Sequence, residues 1–250
     1  KIDLCDICPM IVSEEGVGEV ARESENSFMM TLTDLADFLK KDPAALAMSL
    51  KKSGKINIVQ RKACVAPEDV RALVLQKGYR YKSQVISFQM LKGGVAKTTS
   101  AVNFAIRAHM YGARVLALDL DQQANLTFAL GVEDPELPVW VDVLENQVSL
   151  EKAIIPVAEN FHLLPSNLNN SILDRVLLNG TRHIGRSVAQ KLEPLRKKYD
   201  LIVIDTAPNL SAINTAVACA SDLIVLPVNP DRFSFSGLSK TLEELKDIKK

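Results

Sequence analysis

From residue 83 onward, apolar residues cluster in short unbroken runs separated by longer mixed stretches. "QVISFQM", "ARVLALDLD", "DLIVIDTAP" and "SDLIVLPVNP" are each too short for a helix and too uniformly apolar for a half-exposed strand, and "NFHLLPSN" is a weaker strand. Between them lie stretches with helical spacing. "TTSAVNFAIRAHMYG" stops at Gly112, "SVAQKLEPLRKKY" carries Pro194 as a kink or a new turn, and "SAINTAVACA" links the last two runs. Apolar strands alternating with helices predict a mostly parallel sheet covered on both faces, with ligands at the carboxyl ends of its strands.

Residues 28–82 follow a different rhythm. "TLTDLADFLKKD" places Leu32, Leu35, Ala36, Phe38 and Leu39 on one face of a short helix, with Thr33 as the expected N-cap. Asp42-Pro43 breaks it and opens a second helix through "AALAMSLKKS", closed by Gly54. "KINIV" reads as the first arm of a wing, and "APEDVRALVLQKG" as a third helix. Two short helices with a tight joint outline a small winged helix-turn-helix-like domain. Residues 1–27 are expected to form a partly helical arm. The chain opens on Lys and closes on "KTLEELKDIKK" inside a helical pattern, so the domain over 83–250 is expected to be C-terminally incomplete.

Composition adds little until it is split. The 250 residues are 47% hydrophobic and 24% charged, with zero net charge. The arm is net acidic, residues 28–82 are strongly basic, and the rest is near neutral. The basic excess fits phosphate neutralisation on DNA, with Lys51, Lys52, Lys55, Arg61 and Lys62 as candidate contacts. No run is long enough to cross a bilayer and no signal segment opens the chain, which is expected to be cytoplasmic. Cys5 and Cys8 form half of a zinc-type pattern and are expected to be reduced thiols, as are Cys64 and Cys219.

The chemistry is expected in "FQMLKGGVAKTTSAVNFA", a strand, a glycine-bearing loop and a helix. It departs from G-x-x-x-x-G-K-[ST]: Leu91 and Ala96 stand at the glycine positions, the glycines are Gly93 and Gly94, and a second lysine, Lys92, precedes them. Gly93 and Gly94 let backbone N–H groups turn inward as an anion nest at a helix N-terminus. Lys97 adds a charge for the β- and γ-phosphates, and Thr98 a hydroxyl for Mg²⁺. Ala96 is expected at negative φ. Asp119 and Asp121 are expected on one side of a strand end, about 6 Å apart, where their repulsion would be about 3 kcal/mol at a dielectric of about 20 and a cation would relieve it. Asp205 ends a wholly apolar strand on the same edge.

"KGGVAKTT" resembles the deviant Walker A box, K-G-G-x-x-K-[ST]-[ST], of the ParA/MinD family of P-loop ATPases. "LALDLDQQAN" resembles its A′ box and "LIVIDTAP" its Walker B box. With the basic unit in front, the chain most resembles the larger ParA-type DNA-partition ATPases. The resemblance implies ATP and Mg²⁺ as cofactors. Lys92, Gly93, Gly94, Val95, Ala96, Lys97, Thr98 and Thr99 would bind nucleotide; Thr98, Asp119 and Asp205 would lie on the metal side; Asp121 would orient the attacking water. Lys92 would cross to the nucleotide of a second copy in an ATP sandwich homodimer. The resemblance further implies DNA binding, operon autorepression, stimulation by a ParB-type partner, and a nucleoid-associated place in the cytoplasm. Gln122 and Ala124 replace the Pro and Gly of the family's D-P-Q-G-N, so the loop after Asp121 is expected to differ in shape. Arg182, Arg186, Lys197 and Lys198 are candidates for non-specific DNA contact. A MinD-type ATPase that positions cargo on a membrane is the alternative; no terminal amphipathic helix is visible.

Overall fold

The structure, a computed structural model, describes residues 28–180 and 183–248. The expected arm over 1–27, with Cys5 and Cys8, and Arg182 lie outside them.

The basic segment folds as its patterns dictate. Strand β1 (Met30–Thr31) leads into helix α1 (Leu32–Leu39), then α2 (Pro43–Lys52), β2 (Asn57–Val59), β3 (Lys62–Val65) and α3 (Pro67–Gln76). The N-cap of α1 is Thr31 rather than Thr33: its hydroxyl accepts the Asp34 N–H at 3.2 Å. Leu32 begins the helix because burial of the Leu35, Ala36 and Leu39 face fixes the helical phase earlier than the polar Thr33 suggests. Asp42 caps α2 through the Ala45 N–H, with Pro43 at the first helical position. β2 and β3 form an antiparallel hairpin, pairing Val59 with Lys62 around a two-residue turn. Gln60 and Arg61 hold φ of 48° and 64° there, left-handed angles that Asn-Gly would supply more cheaply. Met30, Leu35, Leu39, Leu46, Leu50, Val65, Val70 and Val74 form a core of their own.

The rest is an α/β unit. β4 (Gln84–Phe88) feeds α4 (Lys97–Met110), β5 (Val115–Asp119) feeds α5 (Asn125–Ala129), and α6 (Trp140–Leu144) and α7 (Leu150–Ala153) lead to β6 (Ile155–Ala158) and β7 (Phe161–Leu164). Then follow α8 (Leu173–Gly180), α9 (Ile184–Leu192), β8 (Leu201–Asp205), α10 (Ala212–Ala220), β9 (Leu223–Val225) and α11 (Arg232–Ile248). Pro194 stops α9 and starts a 3₁₀ turn, Glu193–Lys197. The sheet order is β6-β7-β5-β8-β4-β9. All neighbours are parallel except β6, which pairs antiparallel with β7.

Both faces are buried, as uninterrupted apolar strands require. Leu116, Leu118, Ile202 and Ile204 point to the side covered by α6, α8, α9 and α10. Val115, Ala117, Val203 and Phe88 point to the side covered by α4. Each such side chain contributes roughly 1.5–3 kcal/mol by leaving water. Trimming Leu118 to Ala would cost about 2–5 kcal/mol through the cavity left behind.

The basic unit is fastened to the sheet unit. Arg71 of α3 donates to the Gly112 carbonyl at 2.7 Å and to Asp200 Oδ2 at 2.6 Å, and its guanidinium lies 4.3 Å from the Tyr81 ring centroid. Arg114 holds the same carboxylate through its backbone N–H and its side chain. Burial opposes ionisation of Asp200, but the hydrogen bonds from Arg114 and Arg71 outweigh it and hold the carboxyl below the usual range.

Candidate nucleotide site

β4, β5, β8 and β9 end on one edge of the sheet, at Phe88, Asp119, Asp205 and Val225. Four loops therefore leave the same edge: 89–96, 120–124, 206–211 and 226–231. This is where a parallel α/β sheet binds ligands.

The first loop turns through Gly94 at φ 71° and Ala96 at φ 62°, the latter serving as N-cap of α4. The expectation that Ala96 sits at negative φ is thus wrong. The α4 ladder begins with the Ser100 N–H on the Ala96 carbonyl at 2.9 Å, so the left-handed turn falls at the residue that opens the helix. Ala124 behaves alike, at φ 55° as the N-cap of α5. The loop after Asp121 therefore enters α5 through a left-handed residue that is not glycine. At both places a methyl group is tolerated in a conformation that costs an L-residue roughly 1–2 kcal/mol.

Lys97, the first residue of α4, is buried beside Asp205 and Asp121. Burial lowers its pKa, against the pull of the two carboxylates. Val95 is buried, while Gly93 and Gly94 are open to solvent. Thr98 Oγ1 donates to Asp205 Oδ2 at 2.5 Å. Asp205 is wholly buried, and its Oδ1 has no hydrogen-bond partner. Burial, followed by the nearby Asp119 and Asp121 charges, pushes its pKa up to about 7 despite Thr98 and Lys97. An orphaned carboxylate oxygen beside a threonine hydroxyl at a helix N-terminus fits Mg²⁺, which takes few protein oxygens and shares phosphate oxygens.

Asp119, expected on the metal side, spends its oxygens on neighbouring protein donors. Its Oδ2 accepts the Thr127 N–H at 2.9 Å and the Thr127 hydroxyl at 2.8 Å, and its Oδ1 accepts the Asp121 N–H at 3.1 Å. Three donors meet its carboxylate, yet burial, with a smaller push from the Asp121 charge, still raises its pKa to about 6. It braces the loop and the start of α5. Asp121 lies beyond the strand end, accepting the Gln123 N–H at 3.0 Å, and stays near Lys97.

Four further residues shape the site without belonging to its sequence motifs: Asn214, Asn229, Asp231 and Ser234. Asn214 of α10 donates to the carbonyls of Ala207 and Asn209, shaping the loop after Asp205. Asn229 donates to the Gly94 carbonyl at 3.3 Å, so the "PVNP" stretch touches the first loop. Asp231 and Ser234 hold Lys92: its Nζ lies 2.8 and 3.0 Å from the two Asp231 oxygens and 3.0 Å from Ser234 Oγ. The D-x-x-S spacing at a helix start was a capping signal for α11 but named no lysine.

Of the DNA candidates, Lys51, Lys52, Arg61 and Lys62 are exposed. Lys55 is not free: it pairs with Asp69 at 2.7 Å. Arg186, Lys197 and Lys198 are exposed on the sheet unit. No helix among the described residues is long and apolar enough to cross a membrane.

Known proteins resemble this chain in sequence and in fold. The family model described as "AAA domain" (AAA_31) matches residues 83–250. The chain is 32% identical over 171 residues to the sporulation initiation inhibitor protein Soj of Bacillus subtilis, covering 67% of this chain and 66% of that one. It is 29% identical over 177 residues to a ParA family protein of Mycoplasma pneumoniae, covering 66% of this chain and 65% of that one. Among solved structures, the ATP complex of a Cyanothece McdA variant superposes with a TM-score of 0.64 at 27% identity, over 68% of this chain and 65% of that one. An AMPPNP-bound putative plasmid partition protein of Borrelia burgdorferi gives 0.61 at 26%, over 68% of this chain and 72% of that one. The match spans 66% of a Methanocaldococcus jannaschii relative and 54% of a Mycobacterium tuberculosis one, less than two thirds of their length. The chain belongs to this AAA-domain family and, within it, to the ParA-type P-loop ATPases.

Proposed function

We propose that the protein is an Mg²⁺-dependent ATPase of DNA partition that works as an ATP sandwich homodimer. The observation that carries the reading is the convergence of Lys97, Thr98, Asp121 and Asp205 beside a two-glycine loop preceded by Lys92. The backbone N–H groups of residues 93–98 and the N-terminus of α4 cradle the phosphates. Lys97 neutralises the β- and γ-oxygens in its own subunit. Thr98 and Asp205 hold Mg²⁺, which when bound supplies charge neutralisation on the phosphates. Asp121 orients the attacking water. Lys92 enters the partner's site, where a cation of this kind is worth about 10³–10⁵ in rate. Phosphoryl transfer asks mainly for placement and charge, and these groups supply both.

The basic unit is read as a winged helix-turn-helix domain over 28–82, with α2 for the major groove and the β2–β3 hairpin as the wing. Lys51, Lys52, Arg61 and Lys62 are its phosphate contacts, and operator binding would serve autorepression. A ParB-type protein is the expected stimulator, and the nucleoid in the cytoplasm the expected location.

The test is nucleotide binding, dimerisation and turnover in two variants. Lys97→Ala is expected to abolish ATP binding. Lys92→Ala is expected to keep nucleotide binding but lose dimerisation and turnover. A Lys92→Ala protein that dimerises and hydrolyses like the wild type would overturn the in-trans role. DNA binding with ATP, ADP or no nucleotide, on random and native upstream DNA, separates partition from repression.

A further inference from the structure

Lys92 occupies an unusual position for a side chain meant to leave its own subunit. Its ammonium carries three hydrogens, and three acceptors meet it: both carboxylate oxygens of Asp231 and the hydroxyl of Ser234. All three belong to the start of α11. Asp231 also caps that helix, accepting the Ser234 N–H at 2.9 Å and the Ser234 hydroxyl at 2.8 Å. The cradle is held close to the loop by Gly237, where a Cβ would come within 3.3 Å of Met90 Cε and 3.5 Å of Lys92 Cβ. Ser234 is buried, whereas Phe233 beside it is exposed, its ring centroid 5.9 Å from Nζ.

With no N–H to spare, the ammonium cannot serve a phosphate oxygen while it stays in this cradle. We propose that Asp231 and Ser234 are positioning residues for Lys92, holding it in its own subunit until a partner's triphosphate displaces them. This rests on the dimer reading above. The exchange swaps one anionic partner for another, so a triphosphate, with more negative charge, wins where a diphosphate does not. Hydrogen bonds from Lys92, then from Ser234, hold the Asp231 carboxyl down to about 2, so it stays ionised and acid does not open the cradle in the physiological range.

Asp231→Asn separates the two duties of the residue. Asn caps helices as well as Asp does, so α11 survives while the charge on Lys92 is lost. The first readout is acetylation of Lys92 by an N-hydroxysuccinimide ester in the nucleotide-free full chain, followed by mass spectrometry against Lys51 as the exposed reference. Lys92 is expected to react several-fold more slowly than Lys51 in the wild type and in Asp231→Glu, and at a similar rate in Asp231→Asn; Ser234→Ala is expected to fall between. The second readout is the dimer dissociation constant with AMPPNP and Mg²⁺. A half-exposed ion pair of this kind should shift it by about two- to five-fold, towards tighter dimers in Asp231→Asn. Equal Lys92 reactivity in wild type and Asp231→Asn would overturn the proposal. So would weaker dimers in Asp231→Asn, which would make Asp231 a receiver of the partner's lysine. If the reactivity pattern holds and no form dimerises, the cradle stands and the sandwich-dimer reading falls.

Discussion

Asp119 and Asp205 are direct register partners on adjacent parallel strands, both fully buried, yet they are hydrogen-bonded in opposite ways. Asp119 accepts three hydrogen bonds, whereas Asp205 accepts one and leaves Oδ1 bare. The neighbouring positions thus divide into a carboxylate satisfied by protein donors and one with an oxygen left unpartnered.

The bare oxygen has a stability consequence. Burial raises the Asp205 pKa from 3.8 to about 7, so between those values the folded protein binds more protons than the unfolded chain. Stability from this group is therefore complete below about pH 4 and is lost as pH rises to 7. Asp119, raised by burial to about 6, acts in the same direction. His109, buried with its pKa lowered from 6.5 to about 4, acts in the opposite direction over part of that range. Comparison with Asp205→Asn isolates the one carboxylate. The variant is expected to be more stable than the nucleotide-free wild type at pH 8, by on the order of 2–4 kcal/mol, to melt at a correspondingly higher temperature, and to lose that advantage by pH 4. It is also expected to lose ATP turnover. Thermal melts across pH 4–8 check the first outcome and phosphate release the second.

Thr127 ties Asp119 to the chain just beyond β7, donating to the carboxylate and accepting the Ser166 N–H at 2.9 Å. Thr127→Val keeps the shape and removes both bonds. Each unmet buried group costs about 1–3 kcal/mol, so the denaturation midpoint is expected to fall clearly. Turnover is expected to drop as well, because Asp121 loses the brace that fixes its loop. An unchanged turnover with lowered stability would separate Asp119 from the placement of Asp121.

Ala96 and Ala124 occupy left-handed angles without being glycine. Ala96→Gly relieves roughly 1–2 kcal/mol of backbone strain and gives back about 0.4–1 kcal/mol in unfolded-state entropy. A net stabilisation of about 0.5–1 kcal/mol is expected, with nucleotide affinity retained. Equilibrium denaturation and nucleotide titration check both parts.

Gly112, at φ 82°, is where α3 approaches the end of the helix that begins at the nucleotide loop. A Cβ there would lie 2.7 Å from the Arg71 backbone. Gly112→Ala adds this clash to an already left-handed angle, and the contact must open. Destabilisation beyond about 2 kcal/mol is expected, together with faster proteolysis between residues 76 and 84. Arg71→Ala is expected to loosen the same joint more mildly, since it removes the bonds without the clash.

Much of the fold follows from local pattern. The apolar runs at 84–88, 115–119 and 201–205 needed no partner to be recognised as buried strands, because full burial leaves no polar alternation. Pro43, Gly54, Gly112 and Pro194 marked element ends through their own backbone limits. The short edge strand β6 and the five-residue helix α6 are too short to carry a clear period and took shape against the sheet. The N-cap of α1 moved to Thr31 because packing of Leu35 and Leu39 outweighed a local choice of cap. The φ of Ala96 departs from expectation because side-chain type alone does not reveal a left-handed backbone at a non-glycine residue.

By itself, the sequence determined the buried strands, the two-glycine loop with its two lysines, and the carboxylates at the strand ends, since each is written within a few consecutive residues. Only the tertiary structure decided what those groups touch. Lys92 met Asp231 across 139 residues, and Arg71 met Asp200 across 129. Which of two adjacent aspartates kept a bare oxygen was set by Thr127 on one side and Thr98 on the other. Strand order and helix placement bring such partners together, and no local period or propensity encodes that juxtaposition.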